Sequence, residues 1–352
     1  MEILVIGAGP VGLTAALALA VKGQKCRIVE RRTSPSELSR AVGILPATME
    51  MLAGLGAADP IAAEAVTLTH VVFKRGAKTL FELDATQTSP PPATLHGLPQ
   101  DRTEEILRDV LASHGIEVAY GCGVEAVSTD QDTAHVRFSD ATEARFDRVI
   151  AADGIRSKTR ESLGIAYPGL DVPGEWSIAD VDVAGPFDAN TVTIHRDAGV
   201  IVLILPIGPR RARLVSTTSD ALGALPEPLA IERIRREATF QISVRQAQSY
   251  VKGRVLLAGD AAHCHSPVGG RGMNLGMADG FAAAHAVLSG EIRRYATQRH
   301  AAGREVVRDT ERARKFVTSQ SWWSDAAIWG LGHVLTISPA AQRMFWKNLT
   351  TF

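Results

Sequence analysis

An α/β fold is predicted, in which parallel strands alternate with helices at the start of the chain, antiparallel strands fill its middle and helices close it. Three observations carry this. Residues 3–30 read as strand, glycine-rich turn, helix and strand. Residues 66–83 and much of 167–218 alternate apolar and polar side chains with the period of a half-buried sheet. The apolar run 255–258 then meets a second glycine-rich turn, which opens a helix.

Bulk properties narrow the function. Lysine plus arginine and aspartate plus glutamate both number 38, so no net charge draws the chain to nucleic acid or anionic lipid. At 352 residues about two domains are expected. Cys26, Cys122 and Cys264 are odd in number and fit no CxxC pattern, which favours a reducing, cytoplasmic setting. Strand-like sequence from Ile3 leaves no room for a signal peptide. No apolar run approaches the ~20 residues of a transmembrane segment.

In the first unit, Gly7 makes the tight turn, Gly9 lets a pyrophosphate approach the backbone, and Gly12 lets helix pack on strand. Val11 opens the helix whose N-terminus meets the phosphates. Glu30 ends the second strand about 20 residues on, where an acid accepts from ribose hydroxyls. Arg31 beside it is a further candidate contact. This is a Rossmann-like pattern, which by itself does not separate FAD from NAD.

A loop carrying Ser39, Arg40 and Ala41 leads to a helical segment through Met49, Leu52 and Leu55. Residues 66–73 and 78–83 form a hairpin, and the proline-rich stretch 88–99 returns the chain. Gln100 opens a helix with acids in its first turn. Residues 116–127, including Val124, read as a further strand of the first sheet, and 134–138 with 144–146 as a second hairpin-like pair. A strand then runs into Asp153-Gly154, with Ser157 and Arg160 close behind.

Alternation over 167–218 builds a sheet whose polar residues His195, Arg196 and Arg213 either meet a substrate or face solvent. Residues 231–248 read as a helix returning to the strand before Gly259. Asp260 stands at that strand's end. Pro267, Gly269, Gly270 and Gly272 strip side chains from a backbone that approaches something flat. A helix from Met273 and Asn274 presents free N–H groups suited to negative charge. His263, Cys264 and His265 lack metal-ligand spacing and read as packing and hydrogen-bonding residues. The remainder is helical. Its aromatic end, with Trp322, Trp323, Trp329 and Trp346, is open to three readings: core packing, a homodimer contact or a membrane-surface helix.

Taken together, the GxGxxG unit, the Asp153-Gly154 segment and the stretch from Gly259 to Asp279 resemble the FAD-dependent aromatic hydroxylases, the group A, p-hydroxybenzoate hydroxylase-like flavoprotein monooxygenases, over roughly residues 1–316. The resemblance implies a glutathione reductase-type FAD-binding domain from residues 1–66, 98–165 and 251–300. It also implies a substrate-binding β-sheet domain from 67–97 and 166–250, and a C-terminal helical segment over 301–352. By the same resemblance Asp260 holds a ribityl hydroxyl, Pro267 lies against the isoalloxazine, and Gly270, Gly272, Met273 and Asn274 line the ring's pyrimidine edge. Arg40 sits near the pyrophosphate and the incoming nicotinamide, Gln100 (with Arg102 as the alternative) lies against the flavin chain, Val124 borders the adenine, and Asp153 supports the pyrophosphate. Arg40 and Pro267 are the residues assigned to catalysis. The implied reaction takes hydride from NADPH or NADH, forms a flavin hydroperoxide with dioxygen, and hydroxylates a small aromatic or polyketide-like substrate. A FAD-dependent dehydrogenase or reductase, and a non-catalytic flavin-binding protein, remain as alternatives.

Overall fold

The computed structural model describes residues 1–36, 39, 41–87 and 94–350. Its first layer is a six-stranded sheet in the order Val251–Lys252, Val255–Leu257, Arg148–Ala151, Ile3–Ile6, Arg27–Glu30 and Val118–Tyr120, parallel except at the first pair. Ile3–Ile6 lies inside it with all four side chains buried. That explains why its sequence is apolar throughout and does not alternate. The helix Pro10–Val21 packs against the helix Gly272–Ser289 beside this sheet.

The second layer is a seven-stranded sheet, in the order Ile231–Phe240, Trp176–Val183, Arg211–Ser216, Val200–Gly208, Thr191–Asp197, His70–Arg75 and Lys78–Asp84. Its two faces are closed differently. The segment holding Ala221, Leu222, Leu225 and Leu229 covers Ala179, Val181, Ala212 and Leu214 on one face. On the other, Ile328, Leu335 and Trp346 of the last helices pack with Phe81 and Val192, and Val268 packs with Trp176 and Val215.

Several expectations are corrected. Residues 231–248, expected as a helix, form the strands Ile231–Phe240 and Ser243–Gln246. Glutamate and arginine there favour a helix locally, but pairing with Trp176–Val183 and the ion pairs Arg235–Asp182 and Arg210–Glu232 hold an exposed edge strand. The strand expected over 116–127 is two. Val118–Tyr120 joins the first sheet, whereas Val124–Thr129 belongs to a separate antiparallel sheet, the two being split at Gly121, where φ is +69°. Residues 66–73 likewise divide into Val66–Leu68 and His70–Arg75, in different sheets, where the N–H groups of Thr69 and His70 both turn to the Asn190 carbonyl. The boundary expected at residue 300 falls within the continuous helix Ile292–Val317. Among the described residues, no helix is long and apolar enough to cross a membrane.

Candidate flavin site

Three segments far apart in sequence meet at one place. Gly7, at φ +98°, donates its N–H to the Val29 carbonyl, and a Cβ there would lie 2.3 Å from the Ala152 carbonyl oxygen, next to Asp153. A Cβ on Gly12 would lie 1.8 Å from the Gly7 oxygen, and one on Gly259 would lie 2.7 Å from Val11 Cγ2. Those glycines are required by the protein's own packing. Gly9 is not: its φ is an ordinary −77° and a Cβ would meet nothing within 4 Å. It caps the helix Pro10–Val21 without any side-chain hydrogen bond, so the first amides there are open to a ligand. The Val11 side chain points to Gly259 and Gly276, which leaves its backbone amide as the part that could touch a cofactor.

Glu30 is buried and accepts from Ala8 N at 3.0 Å and from Arg32 N and Nε at 3.0 Å each. Burial pushes its carboxyl up, but the hydrogen bonds from Arg32 and Ala8 outweigh it and hold the group below the usual range. Arg31 is exposed beside it. Sequence reasoning missed Arg32, whose i+2 spacing from Glu30 was the available signal.

Asp153 lies two residues past the end of the strand Arg148–Ala151. Its Oδ2 accepts from Thr159 N at 3.1 Å, its Oδ1 is buried without a partner, and burial raises its carboxyl above the ordinary value. Arg160 behind it donates to the Ala261 carbonyl at 3.0 Å and lies 3.8 Å over the Tyr167 ring, while the Tyr167 hydroxyl donates to the Asp260 carbonyl at 2.9 Å. The Asp153 segment and the Asp260 segment are thereby tied together. Tyr167 carried no motif and was not foreseen.

Asp260 itself is exposed on the 3₁₀ turn Gly259–Ala261. The turn is anchored from beneath by Asp279, fully buried, which accepts from Gly259 N at 3.1 Å, His263 Nε2 at 2.5 Å and Arg299 Nε at 2.6 Å. Burial opposes ionisation of Asp279, yet His263 and Arg299 more than offset it and keep its carboxyl below the usual range. His263 and Cys264 thus have hydrogen-bonding roles, Cys264 Sγ lying 2.7 Å from the Tyr167 hydroxyl.

Pro267 is half-buried and accepts from Gly270 N at 2.9 Å, closing a turn in which Gly269 and Gly270 take φ +89° and +63°. The helix Gly272–Ser289 follows, again without a side-chain cap, so the amides of Gly272, Met273 and Asn274 have no acceptor from within the helix. The Asn274 side chain is fully committed. It accepts from Leu45 N at 2.9 Å and donates to Gly43 and Gly270 carbonyls at 2.9 and 3.1 Å. Any role toward a ligand therefore falls to its backbone.

Arg40 lies outside the described residues. Its neighbour Ala41 is held on both sides, donating to Gln100 Oε1 at 3.3 Å and accepting from Gln100 N at 3.0 Å. The alternative to Gln100, Arg102, is turned away into ion pairs with Glu64 and Glu105. Val124 is buried in the separate antiparallel sheet. The expectation for Arg196 and Arg213 is corrected, since neither awaits a substrate nor faces solvent. Arg196 binds the Val317 and Ser319 carbonyls, Ser324 and Asp325, and Arg213 binds Asp180 and the Ala41 carbonyl. His195 is buried near Lys74 and Glu227.

These residues fit FAD: an unobstructed Gly9 and two uncapped helix starts offer free amides suited to negative charge, and an unpartnered Asp153 oxygen and an exposed Asp260 offer acceptors for hydroxyls. The comparisons agree. A family model described as the FAD binding domain matches residues 1–224 and 222–310. The chain is 30% identical to 6-methylpretetramide 4-monooxygenase of Streptomyces rimosus, covering 97% of this chain and 67% of that one. It is 32% identical to pentachlorophenol 4-monooxygenase of Sphingobium chlorophenolicum, covering 79% of this chain and 56% of the relative. In structure it is similar to p-nitrophenol 4-monooxygenase PnpA from Pseudomonas putida DLL-E4, with a TM-score of 0.86 over 99% of both chains at 22% identity. The chain is an FAD-binding flavoprotein. It belongs to the p-hydroxybenzoate hydroxylase-like family of flavoprotein monooxygenases.

Proposed function

We propose that this protein is an FAD-dependent monooxygenase, using NADPH or NADH and dioxygen to hydroxylate an aromatic or polyketide-like substrate. The observation that carries it is the convergence of Gly7, Asp153 and Gly259 around an open Gly9, within a family of named monooxygenases. When bound, FAD accepts hydride from the nicotinamide and, reduced, activates dioxygen.

The chain's own part is to bind, orient and shield. Glu30 and Asp260 hold hydroxyls of the ribose and the ribityl chain, and the amides of Gly9 and Val11 meet the pyrophosphate. The Met273 and Asn274 amides stabilise negative charge on the ring edge, an effect largest where water is excluded. Pro267 packs against the ring face. Gln100 fixes Ala41, the sequence neighbour of Arg40, to which the role toward the nicotinamide nucleotide is assigned. A cytoplasmic setting belongs to the same reading, supported by three free thiols. So does a homodimer, supported by the exposed Trp323, Trp329 and Ile337 on the last helices.

The test is turnover of the FAD-loaded protein with a phenolic panel under isotopically labelled dioxygen. Label in the product, with NAD(P)H consumption that rises with substrate, is expected. Turnover that persists without dioxygen would instead assign a reductase, and an inert flavin a binding protein.

A further inference from the structure

The outer edge of the seven-stranded sheet gathers arginines on one face. On the edge strand Ile231–Phe240, Arg236 stands opposite Asp180 and Arg233 opposite Asp182. From the other side the same two aspartates face Arg213 and Arg211 of the strand Arg211–Ser216. Residues directly opposite share a face. Strict alternation would put Arg233 and Arg236 on different faces, but the register slips between Asp180 and Val181, and this bulge brings both to one side. Arg235, the extra residue, also turns to Asp182, with its Nε 2.6 Å from Oδ1.

Charge at this edge does not cancel. Arg213 is fully used by Asp180 and the Ala41 carbonyl. Arg211, Arg233, Arg235 and Arg236 are then left with two carboxylates, Asp182 and, across the interface, Asp101, so four cations meet two anions. The pairing is also loose. Arg211 comes only within 3.9 Å of Asp182 and its Nε is buried without a partner, although the side chain is 41% exposed. Arg236 reaches Asp101 at 3.8 Å, and its Nη1 is likewise unpartnered. Arg233 is exposed and makes no ion pair among the described residues. Guarding an edge strand against aggregation needs charge of either sign. An excess of guanidinium groups on one face suits a multiply charged anion, because their forks match phosphate oxygens.

Two contacts place this cluster beside the segment assigned to the nicotinamide nucleotide. Arg213 Nη1 reaches the carbonyl of Ala41, the neighbour of Arg40, at 3.3 Å. Arg236 reaches Asp101, the neighbour of Gln100, whose Oε1 accepts from Ala41 N. Arg211 follows two residues from Arg213 on the same strand face, about 7 Å away. We propose that Arg211, Arg233 and Arg235 hold the 2′-phosphate of NADPH and thereby select it over NADH. This rests on the monooxygenase reading above and names its reductant. Such a phosphate carries about two negative charges near neutral pH, matching the uncompensated cations, where NADH carries only a hydroxyl.

The experiment measures equilibrium binding of NADP+ and NAD+ to the FAD-loaded full chain by calorimetry at one fixed ionic strength. NADP+ binds roughly tenfold or more tightly than NAD+. Arg233→Ser and Arg211→Ser remove guanidinium groups that donate no hydrogen bond among the described residues. Each variant loses most of the preference, while NAD+ affinity and flavin content stay as in the parent. Equal affinities in the parent, no binding of NADP+, or an undiminished preference in either folded, flavin-loaded variant overturns the proposal. An equal loss of NADP+ and NAD+ affinity does so too, since it moves the contact to the pyrophosphate that both share. A chain that oxidises NADH as readily as NADPH while labelling its product defeats this proposal and keeps the monooxygenase reading. A chain that takes up no flavin defeats that reading before either nucleotide is added.

Discussion

Arg213 donates from Nε and Nη2 to the two oxygens of Asp180, at 2.6 and 2.7 Å, and is fully buried in doing so. Its Nη1 reaches the Ala41 carbonyl at 3.3 Å, so one guanidinium joins the second sheet to the loop that Gln100 also holds. Breaking such a pair strands a charge in the interior. Arg213→Met is expected to destabilise the protein by roughly 3–5 kcal/mol in denaturant unfolding. Arg213→Met combined with Asp180→Leu recovers most of that loss, because no charge is then left alone. A double variant as unstable as the single one would show that packing at this point, and not the pairing, is what matters.

Gly7 and Gly9 should separate structural from ligand-binding roles. Gly7→Ala places a methyl 2.3 Å from a backbone oxygen at a φ of +98°, and is expected to impair folding. Gly9→Ala meets nothing within 4 Å and keeps an ordinary φ, so thermal unfolding of the flavin-free chain stays unchanged while FAD affinity falls. Equal FAD affinity in Gly9→Ala and the parent would remove the pyrophosphate from this turn.

His265 gives a pH signature. Burial, reinforced by His263, lowers its pKa to about 4, and its Nε2 is buried without a partner. Between that value and the unfolded value of about 6.5 the unfolded chain binds the extra proton. Stability from this group is therefore complete above about pH 6.5 and declines as pH falls toward 4, by up to roughly 3 kcal/mol. His265→Gln should flatten unfolding free energy across that window. A variant with the parent's pH slope would place the titration on another group.

Asp260→Ala should weaken FAD retention by roughly 1–3 kcal/mol, the cost of leaving a buried hydroxyl without its acceptor. The measurement is a flavin dissociation constant. An affinity equal to the parent's in a folded variant would take Asp260 out of the cofactor site.

Much of this was legible because local chemistry and global position coincide. The Gly7 turn, Glu30 and the helix after Gly272 follow from rules that act within some 30 residues. What the sequence hid depends on partners far along the chain. Arg196 looks like any strand arginine until Asp325, 129 residues away, is beside it. Arg160 and Tyr167 become a link only when Ala261 and Asp260 arrive. Residues 231–240 carry a helix-forming composition that edge pairing overrides. Asp279 was readable as the end of a motif, but its grip on Gly259, His263 and Arg299 was not.

The flavin bound per polypeptide after reconstitution and removal of free cofactor tests the central claim most directly. One FAD per chain, held more weakly in Gly9→Ala and Asp260→Ala, is the result expected. A folded chain that stays colourless in excess FAD would contradict it.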